Sequence, residues 1–261
     1  MDTQNIQQAA QLLWNAWMEG STLDNLPVSC RPVTIEEGYQ IQHAIARLSG
    51  QSRFGWKIAA TSKAGQAHIG VDGPIAGHLL SQRVYDENTR VPFAGNDMRV
   101  AEAEFAFRFG KALPPRPAAY GQEEVLAAVG SLHPAIEIPN SRYRDFVTVG
   151  AAQLIADNAC AHYFVLGAAA PDTWRQTDLA AFALKAEVKG KLIRDGKGAN
   201  ALGDPRIALT WLVNELSRLG IGVAVGEVVT TGTCVVPVEI GGGDEVRADF
   251  GALGSVRALI E

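Results

Sequence analysis

The feature that most constrains the fold of this chain is the segment VAEAEFAFRFG, residues 100–110. Its alternating pattern predicts a β-strand, in which residues two positions apart project from the same face of a sheet. One face then carries Glu102 and Glu104, and the opposite face carries three phenylalanines. Because like charges this close repel each other, the two carboxylates need solvent, protons or a cation in the folded chain.

A third carboxylate in an apolar setting is Glu137, in the segment HPAIEIPNSRY. Burying an unpaired carboxylate costs several kcal/mol, and a divalent cation with oxygen ligands removes that cost. Three carboxylates without neighbouring His or Cys suit Mg²⁺ or Mn²⁺ better than Zn²⁺. The alternative is a sheet edge with solvated glutamates, and the spacing alone leaves both interpretations open.

A lysine in an apolar setting is the next candidate. Lys57 stands between Trp56 and Ile58 in GWKIAATSK. Such a lysine either extends its ammonium to solvent or is held in a site by an anionic partner. The histidines show no metal-ligand spacing and are interpreted as structural or exposed; they are His43, His68, His78, His133 and His162.

Charge, cysteine spacing and hydropathy exclude several classes of protein. The formal net charge is −5 and no Lys/Arg cluster stands out, which argues against a nucleic-acid partner. The cysteines, Cys30, Cys160 and Cys234, are too few and too widely spaced for a disulfide framework or a zinc motif. The N-terminus is typical of an amphipathic helix, and no apolar run reaches the about 20 residues of a membrane span. We therefore expect a soluble, cytoplasmic protein that binds neither nucleic acid nor membrane.

The pattern of elements predicts an α+β fold. Two helices are expected in the first 50 residues, the second beginning at a Thr34–Glu37 capping box, and a glycine-rich stretch of loops and turns follows. Strands are predicted at 99–109, 134–138, 182–194, 227–231, 233–240, 245–250 and 255–260. Further helices are predicted at 122–131, 151–157 and 205–219, and IGGGDEVR is predicted as a hairpin between two C-terminal strands.

The order of these elements suggests two regions. There is no regular βαβ rhythm and no dinucleotide-binding, P-loop, nucleophile-elbow or zinc-protease motif. We expect a helical, loop-rich region over residues 1–90 and a β-rich catalytic domain that carries the metal site over residues 91–261.

Six separated segments, in the same order, resemble the 2-keto-4-pentenoate hydratases and 4-oxalocrotonate decarboxylases of the fumarylacetoacetate hydrolase superfamily. GWKIAATSK is similar to the family's G-[YW]-K-I-G-x-T-S-K, and VAEAEFAFRFG to its E-x-E-x-A-F strand. PAIEIPNSRY is similar to A-x-E-[IV]-x-D-S-R, and IADNACAHYFVLG to an A-D-N segment ending in V-L-G. With two C-terminal segments, the resemblance extends over about residues 38–258.

The resemblance implies a fold, a site and an assembly. The fold is a mixed β-roll of the fumarylacetoacetate hydrolase type with a helical N-terminal segment. Glu102, Glu104 and Glu137 are implied as ligands of Mg²⁺ or Mn²⁺, Lys57 as a group that holds the head of a small 2-oxo acid substrate, and a homo-oligomer as the assembly. A 2-oxo carboxylate can chelate such a metal, which then polarises the keto oxygen and stabilises an enolate.

The chain departs from the family where proton transfer is decided. In GVDGPIAGHLL, Ile75 occupies the position at which the hydratases usually carry an Asp, and an apolar side chain transfers no proton. Asp72 and His78 are the nearby catalytic candidates, with a structural role as the alternative for His78. Cys160 stands where a small residue is usual and is expected beside the substrate with Ile75, as a reactive thiol or as a packed cysteine.

The expected function is that of a divalent-metal-dependent hydro-lyase in aromatic-compound catabolism. It would add water to a 2-hydroxydienoate or 2-oxo-4-enoate through a metal-bound enolate. Two alternatives from the same superfamily are a 2-oxo-acid decarboxylase and a C–C bond hydrolase, since the same enolate serves all three reactions. A third is a catalytically silent structural partner, and the retention of all three glutamates argues against it.

Overall fold

The computed structural model describes every residue, 1–261. The helices are α1 (Thr3–Glu19), α2 (Ile35–Leu48), α3 (Lys63–Ile69), α4 (Gln122–Ala128), α5 (Ala151–Ala156) and α6 (Pro205–Arg218). The strands are β1 (Arg53–Ala59), β2 (Ile75–Leu80), β3 (Val84–Asp86), β4 (Arg90–Val91), β5 (Val100–Phe109), β6 (Val129–Ile138), β7 (Tyr163–Leu166), β8 (Ala183–Val188), β9 (Leu192–Lys197), β10 (Val228–Thr233), β11 (Val238–Glu239), β12 (Glu245–Asp249) and β13 (Ser255–Ile260). None of the helices is long and apolar enough to cross a membrane.

The larger of two sheets has eight strands. Its order is β2-β1-β10-β5-β6-β7-β3, and β11 pairs with the start of β5. β10 runs parallel to β1 but antiparallel to β5, and β6 is antiparallel to β5. The sheet is therefore mixed, and with the flanking helices it confirms the predicted α+β roll.

The smaller sheet has five strands in the order β4-β13-β12-β8-β9. A cluster of 51 buried residues joins both sheets and α6 into the main core. Within it the ring of Phe105 on β5 meets that of Phe250, just after β12, with centroids 4.9 Å apart. Because Phe105 points into this core, the even-numbered residues of β5 point to the other face of the larger sheet.

The N-terminal helices form a second, smaller core. α1 and α2 contribute most of a cluster of 12 buried residues that lies against the end of β2 and α5. The capping box predicted at Thr34 and Glu37 is present at the start of α2. The helical N-terminal segment is thus confirmed, with the first helix ending at Gly20, whose φ of 65° favours glycine.

The strand predicted at 233–240 is interrupted at 234–237, and two further predictions, a strand and a hairpin, were wrong. The segment 182–194 is a hairpin of β8 and β9, because the chain turns at Gly190 with a φ of 74°. IGGGDEVR is not a hairpin, since β11 pairs with β5 in the larger sheet and β12 with β8 and β13 in the smaller one. The segment between β11 and β12 therefore connects the larger sheet to the smaller one.

The glycine-rich stretch predicted as loops holds more regular structure than expected. It contains β1, α3 and β2, and β1 lies between β2 and β10 inside the larger sheet. The division of the chain at residue 90 stays a prediction. Strands from both sides of that boundary, β1 to β3 and β5 to β7, share the larger sheet.

Candidate metal centre

The three glutamates singled out in the sequence meet on one face of the larger sheet. Glu102 and Glu104 project from the same face of β5, and Glu137 on β6 lies directly opposite Glu102. One oxygen from each carboxylate lies within 4.8 Å of the others. Glu104 and Glu137 are buried, and Glu102 is partly exposed. The register of two antiparallel strands therefore builds a compact acidic cluster.

Hydrogen bonds from β10 orient one of the three carboxylates. Glu104 Oε2 accepts a hydrogen bond from the Thr230 hydroxyl and another, at 2.9 Å, from the Gly232 backbone N–H. The ladder between β10 and β5 is irregular between Thr230 and Thr233, which turns this N–H toward the glutamate. Gly232 has a φ of 93°, and a Cβ on it would lie 2.1 Å from the Thr61 hydroxyl oxygen. Only glycine fits this bulge.

The other oxygens of the cluster fit a metal. Glu104 Oε1 and both carboxylate oxygens of Glu137 are buried without a hydrogen-bond partner. An ionised carboxylate that loses water without gaining a donor is strongly destabilised. A hard divalent cation takes such oxygens as its usual ligands. Glu102, Glu104 and Glu137 are therefore the residues that could hold one.

Burial weakens the acidity of the cluster. Loss of solvent raises the pKa of all three carboxyl groups, and the repulsion from Glu137 and Glu102 raises that of Glu104 further, well above its ordinary value. A bound cation acts in the opposite direction, because it stabilises the ionised carboxylates. The site is thus built to exchange protons for a metal ion.

Lys57 lies at the edge of the same cluster. Its Nζ is 2.9 Å from Glu137 Oε1, without hydrogen-bond geometry, and donates a hydrogen bond of 3.0 Å to the Ala159 carbonyl. Burial favours the neutral amine, but attraction to Glu137, Glu102 and Glu104 outweighs it and raises the pKa of Lys57. This lysine therefore stays protonated. Three strand spacings, about 14 Å, separate β1 from β6, so the contact requires the sheet to curl around the site.

A strained segment forms the wall beside Lys57. Three consecutive residues that are not glycine have left-handed φ angles of 55°, 51° and 59°, in the segment 158–160. Such angles are costly for residues with a side chain and persist only where the surroundings impose them. Contacts at the start of the segment hold it in place. Asp157 forms a buried ion pair with Arg142 and accepts a hydrogen bond from the Ser141 hydroxyl. The Asn158 side chain exchanges two hydrogen bonds with the backbone of His78. The chain thereby aims the Ala159 carbonyl at the lysine.

A cavity of about 740 Å³ opens from the metal cluster. Lys57 and Glu102 line one end of it. The remaining wall is mostly apolar, and its polar members are Thr61, Ser62, His68, Cys160, Asn200 and Thr233. The arrangement offers a metal site and a cation at one end of a chamber that can enclose a small organic acid.

The sequence of residues 62–261 matches the family described as fumarylacetoacetate hydrolase, C-terminal. The chain belongs to the fumarylacetoacetate hydrolase family. It is 31% identical to a 2-keto-4-pentenoate hydratase of Paraburkholderia xenovorans (strain LB400), over 100% of this chain and 97% of that protein. It is 33% identical to a 2-hydroxyhexa-2,4-dienoate hydratase of Comamonas testosteroni, over 93% and 92% of the two chains.

A solved structure extends the family match to the whole fold. The 4-oxalocrotonate decarboxylase of Pseudomonas putida G7, complexed with magnesium and adipate, superposes with a TM-score of 0.90 and 25% identity. The alignment covers 100% of this chain and 99% of that one. The same decarboxylase has also been solved with calcium and acetate. Together with the acidic cluster, these relatives indicate a divalent metal in this member of the family.

The two residues expected beside the substrate, Ile75 and Cys160, line the cavity. Ile75 opens β2 and is buried in the cavity wall, and Cys160 ends the strained segment beside Lys57. Burial raises the pKa of the Cys160 thiol to about 12, so it stays protonated at neutral pH. Cys160 therefore contributes packing and a neutral wall, and the interpretation as a reactive thiol finds no support in its surroundings.

The two catalytic candidates Asp72 and His78 lie elsewhere. Asp72 is exposed and does not line the cavity. His78 pairs with Trp56 across the sheet, one position beyond the pairing of Lys57 with Gly77, so its side chain points to the opposite face from Lys57. There its ring lies against that of Trp56, with centroids 4.2 Å apart, and its Nε2 lies 2.9 Å from His43 Nδ1. These contacts support the structural alternative for His78.

The structure adds His68, which sequence reasoning had interpreted as structural or exposed. It lies on α3, is exposed on one side and lines the cavity on the other, where its ring meets that of Phe146 at 6.0 Å. No other histidine lines the cavity. Ser62 as N-cap and Gly70 after the last residue are the local signals of α3, in a stretch that the density of glycines favours as loops.

Proposed function

We propose that this chain is a divalent-metal-dependent hydro-lyase that adds water to a 2-hydroxydienoate or its 2-oxo-4-enoate tautomer. Mg²⁺ or Mn²⁺ would be held by Glu102, Glu104 and Glu137. One observation carries the proposal. The three carboxylates meet beside Lys57 at the end of a cavity, with buried oxygens of Glu104 and Glu137 that accept no hydrogen bond, in a chain 31% and 33% identical to two hydratases over almost its whole length.

The residues of the chain divide the work at the head of the substrate. A bound divalent cation supplies Lewis-acid polarisation of a 2-oxo oxygen, which lowers the cost of forming an enolate. Lys57 has three N–H donors, of which one bonds Ala159 and another faces Glu137. The third is free for a carboxylate oxygen of the substrate. Lys57 therefore binds and orients the acid head of the substrate. Its positive charge offsets the negative charge of the substrate carboxylate.

Proton transfer to the distal carbons needs another group. Ile75 has no proton to give, and the buried Cys160 thiol is too weak an acid. His68 is the imidazole that lines the cavity, and it is not one of the three metal-ligand candidates. We assign His68 as the group that moves a proton at the far end of the conjugated system, in place of the Asp72 and His78 expected from the sequence.

The test is product identification with metal added back. The protein is stripped with a chelator and incubated with 2-hydroxypenta-2,4-dienoate, first alone and then with Mg²⁺ or Mn²⁺. We expect metal-dependent loss of the dienoate absorbance and formation of 4-hydroxy-2-oxopentanoate. An unchanged substrate at saturating metal contradicts the proposal, and the relative rates with the two metals decide which ion is preferred.

Decarboxylation is the second candidate, favoured by the close superposition on a 4-oxalocrotonate decarboxylase. Incubation with 4-oxalocrotonate and measurement of released carbon dioxide separates the two reactions. We expect hydration to dominate, because the cavity wall offers no cation besides Lys57 for a second carboxylate. A homo-oligomer and a cytoplasmic location stay predictions, and light scattering of the purified protein measures the first.

A further inference from the structure

The cavity extends well beyond the space that the head of a substrate needs. Along β5 the residue two positions before Glu102 is Val100, about 7 Å further along the strand, and Met98 lies two residues earlier in the chain, before β5 begins. Both side chains line the cavity, as does Val236, which is 66% exposed and marks its mouth. The chamber therefore continues from the acidic cluster outward to solvent.

Apolar side chains form most of the cavity wall, and several of them come from four separate segments. Ile75 stands at the start of β2, Ile69 at the end of α3, Phe146 before α5, and Val235 and Val236 after β10. Side chains of this kind give no directed hydrogen bonds. They gain free energy only by covering apolar surface of a bound molecule.

The distribution of charge in the wall is equally one-sided. Lys57 and Glu102 are the only Lys, Arg, Asp or Glu residues that line the cavity, and both lie at the metal end. Lys57 is already paired with Glu137. No Lys or Arg lines the outer chamber, so a second carboxylate on the substrate would lose its water there with at most the exposed His68 imidazole to compensate it, which is unfavourable.

We infer that the substrate is a monocarboxylic 2-hydroxydienoate with an extended apolar tail, and that the outer chamber selects it against dicarboxylates. The selecting residues are Ile75, Ile69, Met98, Val100, Phe146, Val235 and Val236. The inference rests on the proposed function, since it names the substrate of that same site. Ile75 then has a positive role, because the position of the usual Asp becomes part of the surface that covers the tail.

A matched pair of substrates tests the charge selection. 2-Hydroxyhexa-2,4-dienoate ends in a methyl group, and 2-hydroxyhexa-2,4-dienedioate carries a carboxylate at the same position. We expect kcat/KM, measured as consumption of either compound with Mg²⁺ present, to be at least 100-fold (on the order of 10²) higher for the methyl compound. Equal or higher kcat/KM for the dienedioate overturns the inference.

A series of tails tests the apolar selection. From the five-carbon dienoate to hexyl-chain and phenyl-terminated homologues, we expect kcat/KM to rise by about fourfold for each added methylene that the chamber covers. A kcat/KM that is flat or falls with tail length overturns the inference while leaving hydratase activity intact. Loss of turnover for every dienoate in the series refutes the proposed function itself, so the two failures are distinguishable.

Two exposed valines offer matched variants. Val236→Arg adds a guanidinium at the cavity mouth, and Val225→Arg adds the same charge at a site that does not line the cavity, where the valine is 64% exposed. We expect Val236→Arg to raise the ratio of kcat/KM for the dienedioate to that for the hexadienoate by about tenfold or more. Val225→Arg is expected to leave that ratio unchanged. An equal response of the two variants contradicts the placement of the substrate tail at Val236.

Discussion

At the scale of single residues, the chemistry of this chain depends on carboxylates that destabilise one another. Glu102, Glu104 and Glu137 lie within 4.8 Å, and Lys57 is the only cation in contact with them. One ammonium cannot balance a cluster of three carboxylates of which two are buried, so the metal-free site must hold protons or remain strained. A bound divalent cation balances the carboxylates, so the site needs neither the extra protons nor the strain. Affinity for metal and stability of the fold are therefore linked through the same side chains.

Glu104→Gln separates these two effects. The amide oxygen can still accept from Thr230 and Gly232, but the repulsion with the other two glutamates is lost. We expect the metal-free variant to be more stable than the metal-free parent by about 1 kcal/mol and its thermal midpoint to respond weakly to Mg²⁺. Activity should fall by about 10³-fold or more. Glu239→Gln, an exposed carboxylate on β11, is the control, and calorimetry with and without Mg²⁺ is the measurement.

His68→Gln tests the proton transfer assigned to that residue. The side chain is exposed and makes no hydrogen bond, so the fold should be unaffected. We expect kcat to fall by about 10² to 10⁴-fold with little change in Mg²⁺ affinity. Lys63→Gln on the same helix, outside the cavity lining, is the matched control. A parental kcat in His68→Gln would show that another group moves the proton.

At the scale of elements, the part of the site that could be predicted is the part specified by local alternation. The strand around Glu102 and Glu104 is fixed by its own period of two, because its phenylalanines must enter the core. The position of α3 is marked only by its Ser62 N-cap and by Gly70 after its end, but the cavity that His68 lines is formed by segments distant in the chain, so the role of His68 could not be predicted from the sequence. Asp72 is only three residues from Ile75 in the sequence, but it is exposed and does not line the cavity, because nearness in sequence does not determine which side of a turn faces the site. The wrong hairpin prediction at IGGGDEVR has a similar cause, because the sequence pattern of a strand does not determine which other strand it pairs with.

The bulge of β10 is the element whose geometry matters most for the cluster. Gly232→Ala would place a Cβ 2.1 Å from the Thr61 hydroxyl oxygen at a φ of 93°. Gly226→Ala is a matched control, with a similar φ of 85° and nothing within 4 Å of its Cβ. Both lose about 1 kcal/mol or more to backbone strain. Only Gly232→Ala should also displace the N–H bond to Glu104 and weaken Mg²⁺ binding, which isothermal titration measures. Equal Mg²⁺ affinity in the two variants would falsify the role given to this bulge.

At the scale of the whole molecule, several histidines are packed as neutral rings between the elements. His43 and His78 meet between α2 and β2, and His162 accepts a hydrogen bond of 2.8 Å from the Trp17 indole of α1. Burial lowers the pKa of His43 to about 4, that of His162 to about 2, and that of His78 well below its ordinary value. The N-terminal helices are thus attached to the larger sheet through rings that resist protonation.

This packing predicts loss of stability in mild acid. In the unfolded chain the three histidines take up protons as the pH falls through about 6.5, while in the folded chain they remain neutral down to much lower pH. Because the unfolded state then binds more protons, their contribution to stability is complete above pH 6.5. It declines below that by about 1.4 kcal/mol per pH unit for each ring.

The weakened acidity of the three glutamates acts in the opposite direction in the metal-free protein, so the measurement is made with saturating Mg²⁺ throughout. Urea unfolding between pH 8 and pH 4.5 should show stability falling from pH 6.5 downward, and His162→Gln should flatten the slope, because an amide at that position can accept from Trp17 without titrating. A slope that is identical in the parent and in His162→Gln would show that this ring is already protonated in the fold.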